Sequence, residues 1–169
     1  MRRKAAITSV LTLFSASADP YYQIREEPSH PMAAELVALW REESRTRDPV
    51  VGKDIPSRPF ARFLSHLMIV EPVEDDTDCK IRIAGEVMRK RYGRDVKDVQ
   101  FSELFSPAVF RDNMMRLREV RRTGVPIIFD ATVIPDDGPS FSYEVVLLRV
   151  LSPDERTYWN IVGIFMLDA

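Results

Sequence analysis

The sequence predicts an α+β fold: a five-stranded antiparallel sheet covered on one face by short helices and one long helix, plus an N-terminal helix. Three observations carry this. Ala33, Leu36, Val37 and Trp40 recur at helical spacing. Apolar residues alternate with polar ones from Cys79 to Gly85 and again from Val125 to Val133. Short turns rich in Pro, Asp and Gly join neighbouring strands, and strands joined so closely pair antiparallel.

Taken in order, residues 19–31 contain Pro20, Pro28 and Pro31 without an apolar period and read as the end of an N-terminal tail and linker, residues 1–31. The domain proper spans 32–169 and begins with a helix over residues 32–46. Ser29 or His30 can cap that helix, and Pro31 suits its first position. Its stripe, with Leu36 and Trp40 at the centre, must be covered by the body of the domain or by a second copy of the chain. Residues 47–62 carry Pro49, Gly52, Pro56 and Pro59 and form an irregular connection.

Beyond it the rhythm becomes extended. His66–Val70 is a short apolar strand, ended by Pro72 and an acidic turn, and Cys79–Gly85 is its hairpin partner. Glu86–Tyr92 returns to helix and stops at Gly93, and short helical pieces follow at Asp95–Val99 and Ser102–Phe105. The clearest helix is next: Ser106 caps, Pro107 opens, Phe110, Met114 and Leu117 line one face, and Gly124 ends it. Three strands complete the chain, with turns at Pro135–Gly138 and Ser152–Glu155.

The bulk numbers suit this design. Of 169 residues, 45% are hydrophobic and 30% charged, enough for a core without a disulfide or metal staple. A net charge of −2 exerts no global pull on nucleic acid or an anionic membrane. One Cys and two His cannot build the usual zinc site, so no metal is expected. The lone Cys79 fits a cytoplasmic setting. Export is the alternative, because residues 1–18 join Arg2, Arg3 and Lys4 to an apolar run and an Ala16-Ser17-Ala18 site. That run is too short to span a bilayer.

Several motifs point further. They are Leu39-Trp40-Arg41 in the first helix, Ile55-Pro56-Ser57-Arg58-Pro59 after it, and Ile81-Arg82-Ile83-Ala84-Gly85-Glu86 at the strand-to-helix junction. Tyr92-Gly93-Arg94-Asp95-Val96 and Arg122-Thr123-Gly124-Val125-Pro126 follow. In this order and with this element sequence, residues 33–167 resemble a bacterial family of single PAS domains behind an N-terminal helix. The resemblance implies a sensory or regulatory module without catalytic activity, binding a small apolar ligand or a signalling protein in trans. One departure stands out: Leu148-Arg149-Val150 occupies a strand end where the family pattern would place an apolar Leu-Pro-Leu-like segment.

The resemblance also invites cofactors, and none fits. Haem-binding members ligate iron from a His on the long helix, and residues 107–123 hold no His; His30 and His66 lie elsewhere. Flavin photosensors place a reactive Cys after the short helices, whereas Cys79 opens a strand as a small hydrophobe. The candidates for lining a ligand pocket are Ile81, Ile83, Met88, Leu104, Phe105, Phe110, Met114, Leu117, Ile127 and Phe129, with Ile161 and Phe165 completing the layer. As plain core these residues would need no ligand at all. Partner-surface candidates are Arg111, Arg118 and Arg122 on one face of the long helix, and Leu36 and Trp40, through which a homodimer could form.

Two other functions compete with this reading. A small α+β enzyme could use Glu144 or Asp130 as general base, although no His or nucleophile is placed beside them. The basic cluster between 89 and 122 (Arg89, Lys90, Arg91, Arg94, Lys97, Arg111, Arg118, Arg121, Arg122) could meet nucleic acid, but interleaved carboxylates make a solvated, salt-bridged face the commoner use. Arg82 alternates away from the apolar face and should pair with a carboxylate there.

Overall fold

Strands with long runs of consecutive apolar residues have no face to turn to water, and the last two strands carry such runs. A computed structural model, which describes residues 21–134 and 139–167, shows both faces of the sheet covered. The strands are β1 (Tyr21–Arg25), β2 (Leu67–Val73), β3 (Asp78–Ala84), β4 (Ile127–Val133), β5 (Phe141–Leu151) and β6 (Tyr158–Leu167). The helices are α1 (Pro31–Glu43), α2 (Arg58–Ala61), α3 (Glu86–Tyr92), α4 (Phe101–Leu104) and α5 (Pro107–Thr123). The sheet order is β1-β4-β5-β6-β2-β3, and each pair of neighbours is antiparallel.

The sheet has six strands, not the five expected. The additional strand is β1, which pairs along β4 from Tyr21↔Thr132 to Arg25↔Ile128, within a stretch the prolines made look like linker. Pro20 and Pro28 flank the strand, and its interior residues keep their amide donors. The expected helix at Asp95–Val99 is absent. That segment stays irregular because its backbone is engaged with β3: Ile81 N donates to Val99 O (3.0 Å) and Asp98 N to Ile81 O (2.7 Å). Strand β2 also runs past Pro72. There β2 pairs only with β3, since its contact with β6 ends at Val70↔Asn160, so a residue without an N–H is tolerated. The turn at Pro135–Gly138 and the signal-like residues 1–18 lie outside the described residues.

Helices α3, α4 and α5 cover one face, over a core that includes Cys79, Ile81, Phe129, Tyr143, Val145, Leu147, Val162 and Ile164. The N-terminal helix and α2 cover the other, over Ile69, Ile128, Val146, Leu148, Val150, Ile161 and Phe165. Ile161 and Phe165 therefore lie on the α1 side, opposite to the layer expected for them. A bulge explains a related shift. Ile69 pairs with Ile83 and Val70 with Ile81, so Arg82 is an extra residue in β3, and Ile83 turns to the α1 face while Ile81 stays on the other. Arg82 itself points outward, 3.3 Å from both Glu71 and Asp98, the carboxylate pairing expected of it.

The start of α1 is held by side chains from two directions. His30 caps it, its Nδ1 accepting from Met32 N at 3.1 Å. Glu144 on β5 receives Ser29 N (2.9 Å), Ser29 Oγ (2.8 Å) and His30 N (2.9 Å). At the junction into α3, Gly85 is required for space and not for a left-handed backbone, since its φ is −74°. A Cβ there would lie 2.1 Å from Leu64 O and 2.4 Å from Ser65 O. Gly124 needs both: it ends α5 at φ 71°, and a Cβ would meet the Arg149 guanidinium at 2.7 Å.

Leu36 and Trp40 are buried against this sheet, and Trp40 Nε1 donates to Arg149 O at 2.8 Å. The stripe is covered by its own domain, so these two residues are not open to a partner. Leu36→Ala and Trp40→Ala should each lower unfolding free energy by about 2–5 kcal/mol in denaturant titrations. Sedimentation should be unchanged, and a loss of self-association without loss of stability would contradict this packing.

Candidate functional site

Helix α5 begins where Ser106 Oγ accepts from Val109 N (3.4 Å), and its period turns Val109, Met114, Leu117 and Val120 to the sheet. Small and branched side chains on the sheet beneath it, Val145, Leu147, Val162 and Ile164, do not fill the space up to the helix. The result is an apolar cavity of about 440 Å³, counting the solvent-open space at its mouth. Phe101 and Phe105 from α4, Met68, Tyr22, Phe129 and Tyr143 complete the walls with Asn113 and Leu117 of α5. Small-molecule sites are likewise mostly apolar with a few placed polar groups.

Of the residues expected to line a pocket, Phe105, Leu117 and Phe129 do so. Ile81, Met88, Leu104 and Met114 belong to the same core without lining the cavity, Phe110 and Ile127 pack on its edge, and Ile83 is on the other face. The missed walls come mainly from β5 and β6, whose continuous apolar runs hide which residues face which side. Tyr22 was hidden by its proline-flanked strand, and Asn113 by being polar within an amphipathic helix.

Asn113 is a polar side chain in the cavity wall, and a cation is stacked on two of the wall's rings although it is not itself part of the lining. The rings of Tyr22 and Phe129 meet edge to face at 5.6 Å, and the Arg116 guanidinium lies over both, 4.4 Å and 4.6 Å from their centroids. Its Nη1 is buried and has no hydrogen-bond partner among the described residues. Asn113 lies three residues earlier on the same helix edge.

The PAS domain profile matches residues 28–166, most of the 169-residue chain, and takes in the sheet from β2 onward with every helix just described. This chain belongs to the PAS domain family. No curated protein matches it. As a PAS domain it is a sensory and regulatory module of a generally non-catalytic kind. No described helix is long and apolar enough to cross a membrane.

The PAS cofactor modes do not fit these residues. His30 and His66, the chain's two histidines, both lie against Phe165, His30 tilted at 5.2 Å and His66 stacked at 5.1 Å, and Phe165 belongs to the core on the α1 face, not to the cavity wall. His66 Nδ1 is also 3.2 Å from Ile164 O. Cys79 is buried in the core, and burial, with Asp76 and Asp78 nearby, pushes its thiol up to about 11 against the opposing pull of Arg121. A thiol held protonated is a poor nucleophile.

The groups proposed for catalysis have structural partners. Glu144 is fully buried and occupied by the three donors that start α1. Asp130, its cross-strand neighbour, takes Arg25 at 2.7 Å, although its Oδ1 is buried without a partner. Four of the basic cluster's nine residues meet this chain's own carboxylates. Arg89 meets Asp95 (3.6 Å), Arg118 and Arg121 meet Asp76, and Arg122 meets Glu119 (2.7 Å). Arg121, read as part of that surface cluster, is only 8% exposed and donates to Asn160 Oδ1 at 2.6 Å.

The raised Cys79 thiol sets a pH dependence. Because the native thiol resists ionising, its full contribution to stability holds below the ordinary value of 9.0 and is lost as pH rises towards about 11. Near neutral pH the native protein should resist alkylation by iodoacetamide, and one thiol should become reactive after urea unfolding. Rapid alkylation of the native state would contradict the burial.

Proposed function

We propose that this PAS domain senses a small, mostly apolar molecule held between α5 and the sheet and reports it to a signalling protein in trans. The observation that carries this reading is the cavity itself, bounded by helix and sheet and lined on most sides by aliphatic and aromatic groups. A closed core would have suited a pure adaptor; an open apolar cavity suits a sensor.

The outward face of the same helix is the candidate docking surface. Arg111, Met115, Arg118 and Arg122 recur at intervals of four, three and four residues and are exposed, with Met115 61% accessible. Arg118 and Arg122 already have carboxylates, so Arg111 and Met115 offer the more available contacts. An acidic partner surface with an apolar centre would match this stripe. One helix would then touch ligand on its inner side and partner on its outer side.

Native mass spectrometry of the purified chain should detect a bound small molecule or, after exposure to a mixed set of small apolar compounds, a retained one. Val145→Trp, which fills the cavity, should abolish retention while the circular dichroism spectrum is preserved. Absence of any retained compound in the parent, or equal retention in the variant, would remove the cavity from the mechanism. Arg111→Glu with Met115→Glu should leave ligand retention intact and remove copurified protein; unchanged copurification would move the docking surface off α5.

A further inference from the structure

We infer that the ligand carries a single carboxylate on an otherwise apolar body, and that Arg116 and Asn113 receive that carboxylate. This assignment rests on the cavity being the sensory site. Arg116 is the first reason. A guanidinium has five N–H donors and no acceptor, and it stays charged at any pH a cell reaches. Arg118, Arg121 and Arg122 of the same helix each face a carboxylate. Arg111 is exposed and can be hydrated. Arg116 has neither arrangement: it makes no ion pair among the described residues, and its Nη1 is buried without a hydrogen bond.

A buried, unpaired charged donor is rare enough to call for a physical cause. The rings of Tyr22 and Phe129 hold the guanidinium plane, and a cation–π contact does not satisfy an N–H directed elsewhere. Those same two rings are walls of the cavity. The arrangement holds a cation in place beside an apolar space while leaving a donor unused.

Asn113 is the second and independent reason. It lines the cavity, and its amide makes no side-chain hydrogen bond among the described residues. Asn113 is in the wall, and Arg116, one turn further along α5, is stacked on two wall rings, so a charged and a neutral donor stand on the same helix edge beside the cavity. A carboxylate accepts from both types at once and neutralises the guanidinium, which an alcohol or ketone cannot do. A phosphate would bring more charge and more acceptor oxygens than one arginine satisfies. A dicarboxylate would set its second charge against Leu117, Val145, Leu147 or Val162.

The test compares hexanoate with 1-hexanol on the full chain, followed by amide chemical shifts. Hexanoate should give saturable shifts at Leu117, Val162 and Ile164 and bind at least about tenfold more tightly than 1-hexanol, the scale of one charge-assisted pair. Arg116→Gln should erase that preference while leaving 1-hexanol binding unchanged, and Arg116→Lys should restore part of it. Equal binding of both compounds by the parent protein would overturn the carboxylate assignment and leave the sensory cavity standing, Arg116 being then merely hydrated. No saturable shift with either compound would overturn both. Should Arg116→Gln misfold, Asn113→Ala and the parent comparison still decide, since a preference untouched in Asn113→Ala would remove Asn113 from the site.

Discussion

Arg121 sits in the last turn of α5, hidden from water, where its guanidinium meets Asp76 of the β2–β3 turn and Asn160 of β6. Asn160 is itself fully buried and donates back to Leu117 O on α5 at 3.3 Å. A cation in such a place is tolerated only when its hydrogens are matched, because an uncompensated buried charge is far more costly than a lost surface pair. The helix therefore cannot slide along the sheet or roll on it without breaking a charged contact. That fixed position lets the cavity persist: aliphatic contacts alone would let α5 settle onto Val145 and Val162, whereas the polar anchor at its C-terminal end holds its height. The β2–β3 turn pays a conformational cost for this, since Glu74, Asp75 and Asp76 all have positive φ.

The sheet links the two helical layers as well as supporting them. Along β5, Val145 and Leu147 face the cavity while Val146 and Leu148 face α1; along β6, Val162 and Ile164 alternate with Ile161 and Phe165 in the same way. A residue that lines the cavity is thus bonded to neighbours that pack beneath the N-terminal helix. Gly163 marks how closely α1 approaches, with Leu36 Cδ2 only 3.0 Å from where a Cβ would stand. Packing this dense responds to displacement as a unit, so filling the cavity bears on both helical layers.

Much of this was legible in the sequence, and the failures share a physical origin. Helix α5 and the start of α1 were readable because Ser106-Pro107 and His30-Pro31 mark starts and the apolar spacing is helical. The alternating strands β3 and β4 were readable because one side of each is polar over most of its length. What escaped were features decided by tertiary contact. Tyr21–Arg25 became a strand because β4 offered an open edge. Ile83 changed face because one residue is inserted beside Ile69 and Val70. Arg121 looked like its neighbours Arg118 and Arg122, and only the position of Asn160 and Asp76 distinguishes a buried anchor from a surface charge. The cavity was half legible for the same reason: α5 announced Leu117, but nothing local tells which residues of a continuous apolar strand face it.

Arg149 shows how a departure from a family pattern can be absorbed. An apolar residue was expected at this strand end, and an arginine there must find partners or leave the sheet. Its Nε and Nη2 reach Asp48 at 3.1 Å and 3.0 Å, its Nη1 donates to Arg121 O at 3.2 Å, and its plane covers the Tyr158 ring at 4.1 Å. The contact with Arg121 O satisfies a carbonyl that the end of α5 leaves open, with the favourable sign of charge for a helix C-terminus. The Arg149 carbonyl meanwhile receives Trp40 from α1 on the other face. One residue thereby joins the C-terminal end of α5, the connection after α1 and the α1 tryptophan. The arginine accomplishes by hydrogen bonding what an apolar end would have done by packing, and it gives α1 and α5 a shared mechanical point on opposite sides of the sheet.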